Sequence, residues 1–264
     1  MAFARVNGVV LHHDLRGPAE RPVLVFINSL GTDFRIWNEV AGDLQQDFRL
    51  VLYDKRGHGL SEATPPPYAM TDHVGDLAAL LDHLGTASAI IVGLSVGGVV
   101  AQGLAALRPD LVRALVLCGT APKIGNDELW NARIKAVTED GIASIADGIM
   151  QRWFTPAYRT PDNPDYVGYL AMLTRTSREG YAGTCAALRE ADLTESTRAL
   201  KLPALCLVGD QDGSTPPDLV RELASLIEGA RFKIIEDAGH LPCIEQPERT
   251  AELIRAFLRE ELQA

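Results

Sequence analysis

The chain has 264 residues, 47% hydrophobic and 23% charged, the composition of an ordinary globular protein with a sizeable core. Its formal charge of −10 disfavours nucleic acid and anionic membrane as partners, so an anionic ligand would need a local cationic patch. No run reaches the ~18 apolar residues of a membrane span. The first residues lack the basic-then-apolar pattern of a secretory signal, which makes a cytoplasmic location the expectation.

In chain order, residues 3–6 and 9–15 predict a hairpin about the two-residue turn Asn7-Gly8. Residues 23–27 form a short, fully apolar strand leading into Asn28-Ser29-Leu30-Gly31. A helix is expected over 32–46, with Phe34, Trp37, Val40 and Leu44 on one face. Residues 50–53 give the next strand, followed by Asp54-Lys55-Arg56-Gly57-His58-Gly59-Leu60-Ser61 and a proline-rich loop at 65–67. A helix over 70–84, a strand over 89–92, a helix over 99–107 and a strand over 113–118 complete the first half. This alternation has the rhythm of a parallel, doubly wound sheet. It stops at about residue 123. Helical segments follow at 127–139, 142–153, 164–177 and 180–191, which reads as a cap of residues 123–200 inserted after the sixth strand. The sheet resumes with strands at 204–208 and 232–235 and helices at 219–227 and 248–262, so residues 1–122 and 201–264 form the core. The four cysteines, Cys118, Cys185, Cys206 and Cys243, have no close metal-ligand spacing, and Cys118 and Cys206 read as packed thiols.

Gly93-Leu94-Ser95-Val96-Gly97-Gly98 lies between a strand and a helix, the setting of a nucleophile elbow. Small neighbours let the serine occupy a strained turn, at the positive end of the following helix. Alone, the motif could equally be a helix cap or a phosphate-binding turn. Serine needs a base, because its hydroxyl is barely ionised at neutral pH. His240, in Asp237-Ala238-Gly239-His240-Leu241-Pro242, follows a strand and the elbow in chain order. His58 also follows a strand but precedes the elbow, and reads as a turn residue steadying a glycine-rich loop. His12 and His13 fall in the hairpin with a surface or packing role; His73 and His83, on a predicted helix, are expected to be solvated. Asp210 and Asp212 both follow the strand at 204–208; Asp212 is chosen to hold the imidazole, and either could be a turn former. An acyl-transfer intermediate also needs two N–H donors, each typically worth ~2.7–4 kcal/mol of barrier. Val96 N–H follows the nucleophile, and the second should come from the loop after the 23–27 strand.

The order Ser95, Asp212, His240 resembles the α/β-hydrolase fold family over the whole chain. Many members carry His-Gly before the second donor; here Asn28-Ser29 stands instead, and the resemblance maps that donor onto Leu30. Asn28-Ser29-Leu30-Gly31, Tyr53 to Ser61, the elbow and Cys118-Gly119-Thr120-Ala121 together resemble the 3-oxoadipate enol-lactonases of bacterial aromatic catabolism, the β-ketoadipate pathway. The resemblance implies hydrolysis of a small enol-lactone bearing a carboxymethyl group, with neither metal nor organic cofactor. Such a substrate is anionic. Trp130, Arg133 and Val137 share one face of the first cap helix, which could present a guanidinium and an indole to it; Arg152 and Trp153 are further candidates on the next helix. A monomer or small homo-oligomer is expected. Rival readings are a carboxylesterase, a carbon–carbon bond hydrolase or a perhydrolase on the same scaffold, or a non-catalytic ligand receptor. Dehalogenases and most epoxide hydrolases of this fold place aspartate where Ser95 stands.

Overall fold

The computed structural model describes residues 1–263. Strands β1 (Ala2–Val6) and β2 (Val9–Arg16) pair antiparallel. Their turn needs two left-handed residues to match the strand twist, and Asn7 and Gly8 supply φ of 47° and 76°. Strand β3 (Val23–Ile27) leads through a short 3₁₀ turn, Phe34–Trp37, into α1 (Asn38–Leu44). Then come β4 (Arg49–Tyr53), α2 (Met70–His83), β5 (Ala89–Leu94), α3 (Val96–Leu107) and β6 (Val112–Cys118). Helices α4 (Asp127–Asp140), α5 (Ala143–Trp153), α6 (Pro164–Thr174), α7 (Arg178–Glu190) and α8 (Thr194–Arg198) fall between β6 and the next strand. The chain ends with β7 (Ala204–Gly209), α9 (Pro217–Leu226), β8 (Arg231–Ile235), α10 (Pro242–Glu245) and α11 (Pro247–Gln263).

All eight strands join one sheet in the order β1-β2-β4-β3-β5-β6-β7-β8, antiparallel at the hairpin edge and parallel from β4 onward. β5 lies mid-sheet with every residue buried, which is why it reads Ala-Ile-Ile-Val-Gly-Leu without alternation. Burying each large aliphatic side chain there contributes roughly 1.5–3 kcal/mol. Because β3, β5, β6, β7 and β8 run parallel, their C-terminal ends meet along one rim, where such sheets place their sites. Among the described residues no helix is long and apolar enough to cross a membrane.

Two expectations change. The helix expected over 32–46 begins with a 3₁₀ turn, because the Asp33 side chain accepts the Arg35 N–H and starts the turn there. His73 is not solvated but 1% exposed: α7 covers that face of α2, and Thr184 Oγ1 lies 3.4 Å from His73 Nε2.

Candidate active site

Ser95 has φ 58° and ψ −120°, a conformation that a non-glycine residue holds only when its surroundings over-determine it. The surroundings are close backbone. A Cβ on Gly93 would come within 2.3 Å of Gly97 O, and one on Gly97 within 2.5 Å of Ile27 O. Ser95 N–H donates to Cys118 O at 2.9 Å, and Thr120 Oγ1 donates to Ser95 O at 2.7 Å. The elbow is therefore tied to the end of β6. Ser95 itself is 9% exposed.

Asp212 sits just beyond β7, and His240 beyond β8. His240 Nδ1 lies 2.8 Å from Asp212 Oδ2, both side chains being buried. An ionised carboxylate only accepts, so Nδ1 carries the proton and Nε2 keeps its lone pair. The other acceptor sites of Asp212 are taken by Ser214 N–H (2.7 Å), Thr215 N–H (2.8 Å) and Thr215 Oγ1 (2.9 Å). Asp210, the alternative, is exposed and accepts the Ala238 N–H instead. Gly119 joins the two halves: a Cβ there would stand 3.0 Å from Asp212 Oδ2 and 3.2 Å from His240 Nδ1. Ser95, bonded to Cys118, is thus one residue removed from the segment that touches the His–Asp pair. Among the described residues the Ser95 hydroxyl makes no hydrogen bond to His240; such bonds commonly tighten only when substrate arrives.

Neither the Leu30 nor the Val96 N–H has an acceptor among the described residues. Val96 opens α3, where an N–H has no intrahelical partner. Leu30 is free because its neighbours are not: Gly31 N–H donates to His58 Nε2 at 3.0 Å, and Thr32 N–H to Ser29 O at 3.4 Å. His58 donates from Nδ1 to Arg56 O, and burial, with the nearby Lys55 charge, pushes its pKa well below the usual value. It is a neutral acceptor inside the loop.

Helix α5 brings its end to the same place. His240 N–H donates to Trp153 O at 2.8 Å, and the Arg152 Cα lies 3.2 Å from where a Cβ on Gly213 would be. The Trp153 ring reaches the loop after β3, 3.6 Å from a Cβ on Gly31, and the Tyr181 ring lies at 3.1 Å. Trp130 is buried and donates its indole N–H to Ile124 O at 2.6 Å, so its polar edge is spent on the chain, while Arg133 lies over its ring at 5.1 Å. Arg133 and Arg152 are both half-buried, and among the described residues neither has a carboxylate partner. Burial, then the Arg133 charge, lowers the Arg152 pKa.

Reasoning from sequence missed Thr215, Lys55 and Glu245, and gave His58 only a loop-steadying part. Glu245 accepts Gly239 N–H (2.7 Å), Thr155 N–H (3.0 Å) and Thr155 Oγ1 (2.7 Å), clasping the His240 loop to the end of α5. Burial raises its pKa. Only Thr215 left a local signal: an aspartate three residues before a threonine often accepts its N–H in a turn. A cleft of about 1240 Å³ opens elsewhere, between β2, the loop after β3 and α6; it is lined by His12 and Tyr169 but not by Ser95 or His240.

Residues 22–247 match the family described as the alpha/beta hydrolase fold, and the chain belongs to that family. It is 35% identical to 3-oxoadipate enol-lactonase 2 of Acinetobacter baylyi over 95% of this chain and 94% of that one. The crystal structure of the enol-lactonase from Burkholderia xenovorans LB400 superposes with a TM-score of 0.95 at 36% identity, covering 98% of this chain and 100% of that one. A thermophilic esterase from Thermogutta terrifontis, solved with malate bound, superposes with a TM-score of 0.92 at 30% identity, covering 99% of each.

Proposed function

We propose that this protein is a serine hydrolase that opens the ring of 3-oxoadipate enol-lactone with water to give 3-oxoadipate, through an acyl-enzyme. The observation that carries the reading is the buried His240–Asp212 pair at 2.8 Å, packed against Gly119, the residue after the Cys118 carbonyl that holds the strained Ser95 turn. Similarity to the two enol-lactonases supports the choice of substrate.

In this reading Ser95 Oγ attacks the lactone carbonyl while His240 Nε2 takes its proton. The carbonyl oxygen becomes an oxyanion held by Leu30 and Val96 N–H. The ring C–O bond breaks, the leaving enolate takes the proton from His240, and the enol relaxes to a ketone, which draws the opening forward. Water then gives a proton to His240 and attacks the acyl carbon, and Ser95 leaves protonated. Asp212 stabilises the imidazolium at both stages. The helical stretch 123–200 acts as a cap over this rim. Its two uncompensated guanidinium groups, Arg133 and Arg152, bind the substrate carboxylate, with Trp130 as the platform under Arg133 and Trp153 as the wall beside the reacting carbonyl. Two half-buried like charges repel, and an anion between them removes that cost.

The test is turnover of freshly generated enol-lactone, followed by loss of its ultraviolet absorbance, beside the neutral ester p-nitrophenyl acetate. A charge-assisted hydrogen bond contributes roughly 1.5–3 kcal/mol, so Arg133→Ala should lower kcat/KM for the lactone by about 10- to 150-fold. The neutral ester should be hydrolysed nearly as before. Failure to open the lactone, with ester hydrolysis intact, would move the assignment to a carboxylesterase, a reading favoured by the similarity to the Thermogutta terrifontis esterase. Equal losses on both substrates would remove Arg133 from carboxylate binding.

A further inference from the structure

The carbonyl of Ser29 is surrounded by donors. Lys55 Nζ donates to it at 2.5 Å, Thr32 Oγ1 at 3.0 Å, and Thr32 N–H and Asn28 Nδ2 each at 3.4 Å. Lys55 is 1% exposed, and among the described residues no carboxylate lies within ion-pairing distance; burial pushes its pKa well below the usual lysine value, and Asp54 and Asp33 oppose this only from further away. An ammonium buried without a direct counter-ion is strongly disfavoured, and a methionine would fill the space at less cost. The fold nevertheless sets its one buried lysine against a single backbone oxygen.

That oxygen belongs to a peptide unit shared with Leu30. In a planar trans peptide the C=O and the N–H point in opposite directions. Holding the Ser29 C=O from one side therefore aims the Leu30 N–H to the other. The next two N–H groups, Gly31 and Thr32, are already turned inward to His58 and to Ser29 O. Leu30 alone is left facing out. We infer that Lys55 is a positioning residue for hydrolysis: its side-chain amino group locks the Ser29–Leu30 peptide plane so that Leu30 N–H meets the developing oxyanion. The inference rests on the oxyanion role given to Leu30 above. A donor also polarises the peptide unit it grips, making the opposite N–H a better donor. No bond forms or breaks at Lys55.

The test compares native enzyme with Lys55→Met on p-nitrophenyl acetate, a substrate that does not depend on the lactone assignment. Losing an oxyanion donor outright lowers kcat by about 10²–10³, so a donor left in place but free to swing should cost about 10- to 100-fold in kcat. KM should stay within about twofold, and the rate of fluorophosphonate labelling at Ser95 should fall in step with kcat. A merely structural lysine gives a different result: its loss would lower the melting temperature and raise KM, whereas removing a buried amino group that has no counter-ion should leave melting unchanged or higher. A folded Lys55→Met enzyme with native kcat overturns the inference. Should that variant not fold, Thr32→Val, which strips a second donor from the same oxygen, carries the test: kcat several-fold lower at constant KM supports it, and unchanged kcat overturns it. A native enzyme active on the ester but inert to the lactone would sink the substrate assignment and leave this inference standing.

Discussion

Asp212 accepts four hydrogen bonds from three residues, and an asparagine cannot reproduce them. Oδ1 receives the Ser214 and Thr215 N–H groups, and Oδ2 receives Thr215 Oγ1 and His240 Nδ1–H. If the new amide nitrogen takes the Oδ1 place, it faces two N–H donors. If it takes the Oδ2 place, it donates to His240 Nδ1, which must then give up its proton and move it to Nε2, leaving no base toward Ser95. Asp212→Asn should therefore lower kcat by about 10⁴-fold, the cost of the wrong tautomer, with little change in melting temperature. Steady-state kinetics on any turned-over ester checks this, and a loss below about tenfold would remove Asp212 from the proposed triad. The Asp212–His240 contact and the strained turn at Ser95 were legible because each of the three residues follows an apolar strand and carries turn-forming neighbours, a signal local enough to read from a string. Choosing Asp212 over Asp210 rested on less, since two aspartates two residues apart share one loop. The decisive difference is that Asp210 is occupied with the Ala238 N–H. Lys55 was not legible as more than part of a motif. Its partner, Ser29 O, is 26 residues away, and nothing in the spacing shows which way a peptide plane will face.

At the scale of elements, one close meeting between the inserted helices and the loop after β4 is backbone against backbone. Gly180, near the start of α7, lies so close to Gly57 that an added Cβ would stand 2.0 Å from Gly57 O and 2.4 Å from Gly57 Cα. No flexible side chain can yield there. Gly180→Ala should destabilise by about 1–3 kcal/mol, as overpacking does. In a chain of this length each kcal/mol lowers the melting temperature by roughly 2–4 °C. The displaced loop carries His58, which holds Gly31, so kcat should fall as well; calorimetry and kinetics on one preparation check both. A variant that melts with the native protein would mean that α7 can slide away from the loop at no cost. The helices themselves were legible from their period, and their ends much less so. The segment expected over 164–177 ends at Thr174, and the next begins at Arg178 and not at 180, because Ser177 Oγ accepts the Gly180 N–H and caps α7. The five residues of α8 are too few to display a period at all. Which face of each helix meets the sheet was beyond reach, because glycine at 57 and glycine at 180 announce a close approach only when seen together.

Across the whole molecule, that packing decides how stability responds to acid. His73 lies on α2 under α7, a position that reads as solvated until the later helix covers it. Burial, with Lys55 and Arg56 nearby, lowers its pKa to about 3 from the ordinary 6.5. His58 is pushed down for the same first reason. Between pH 6.5 and about 3 the unfolded chain binds a proton at His73 that the folded chain refuses. The unfolded state then holds more protons, so stability falls as pH falls through that window, by up to about 1.4 kcal/mol per pH unit for one histidine. Asp54, Asp76 and Glu245 oppose this, because burial raises their pKa values and the folded state gains protons there first. The net slope of the native protein therefore mixes both signs, and a difference measurement separates them. His73→Leu leaves Thr184 Oγ1 its bond to Gly180 O and buries no new unpaired group. Urea unfolding of the two proteins at pH 7, 6, 5 and 4.5 should show the stability difference shifting in favour of His73→Leu by about 1.4 kcal/mol for each unit below 6.5. Parallel curves would mean that His73 takes its proton in the folded state, and that α7 does not seal the α2 face it covers.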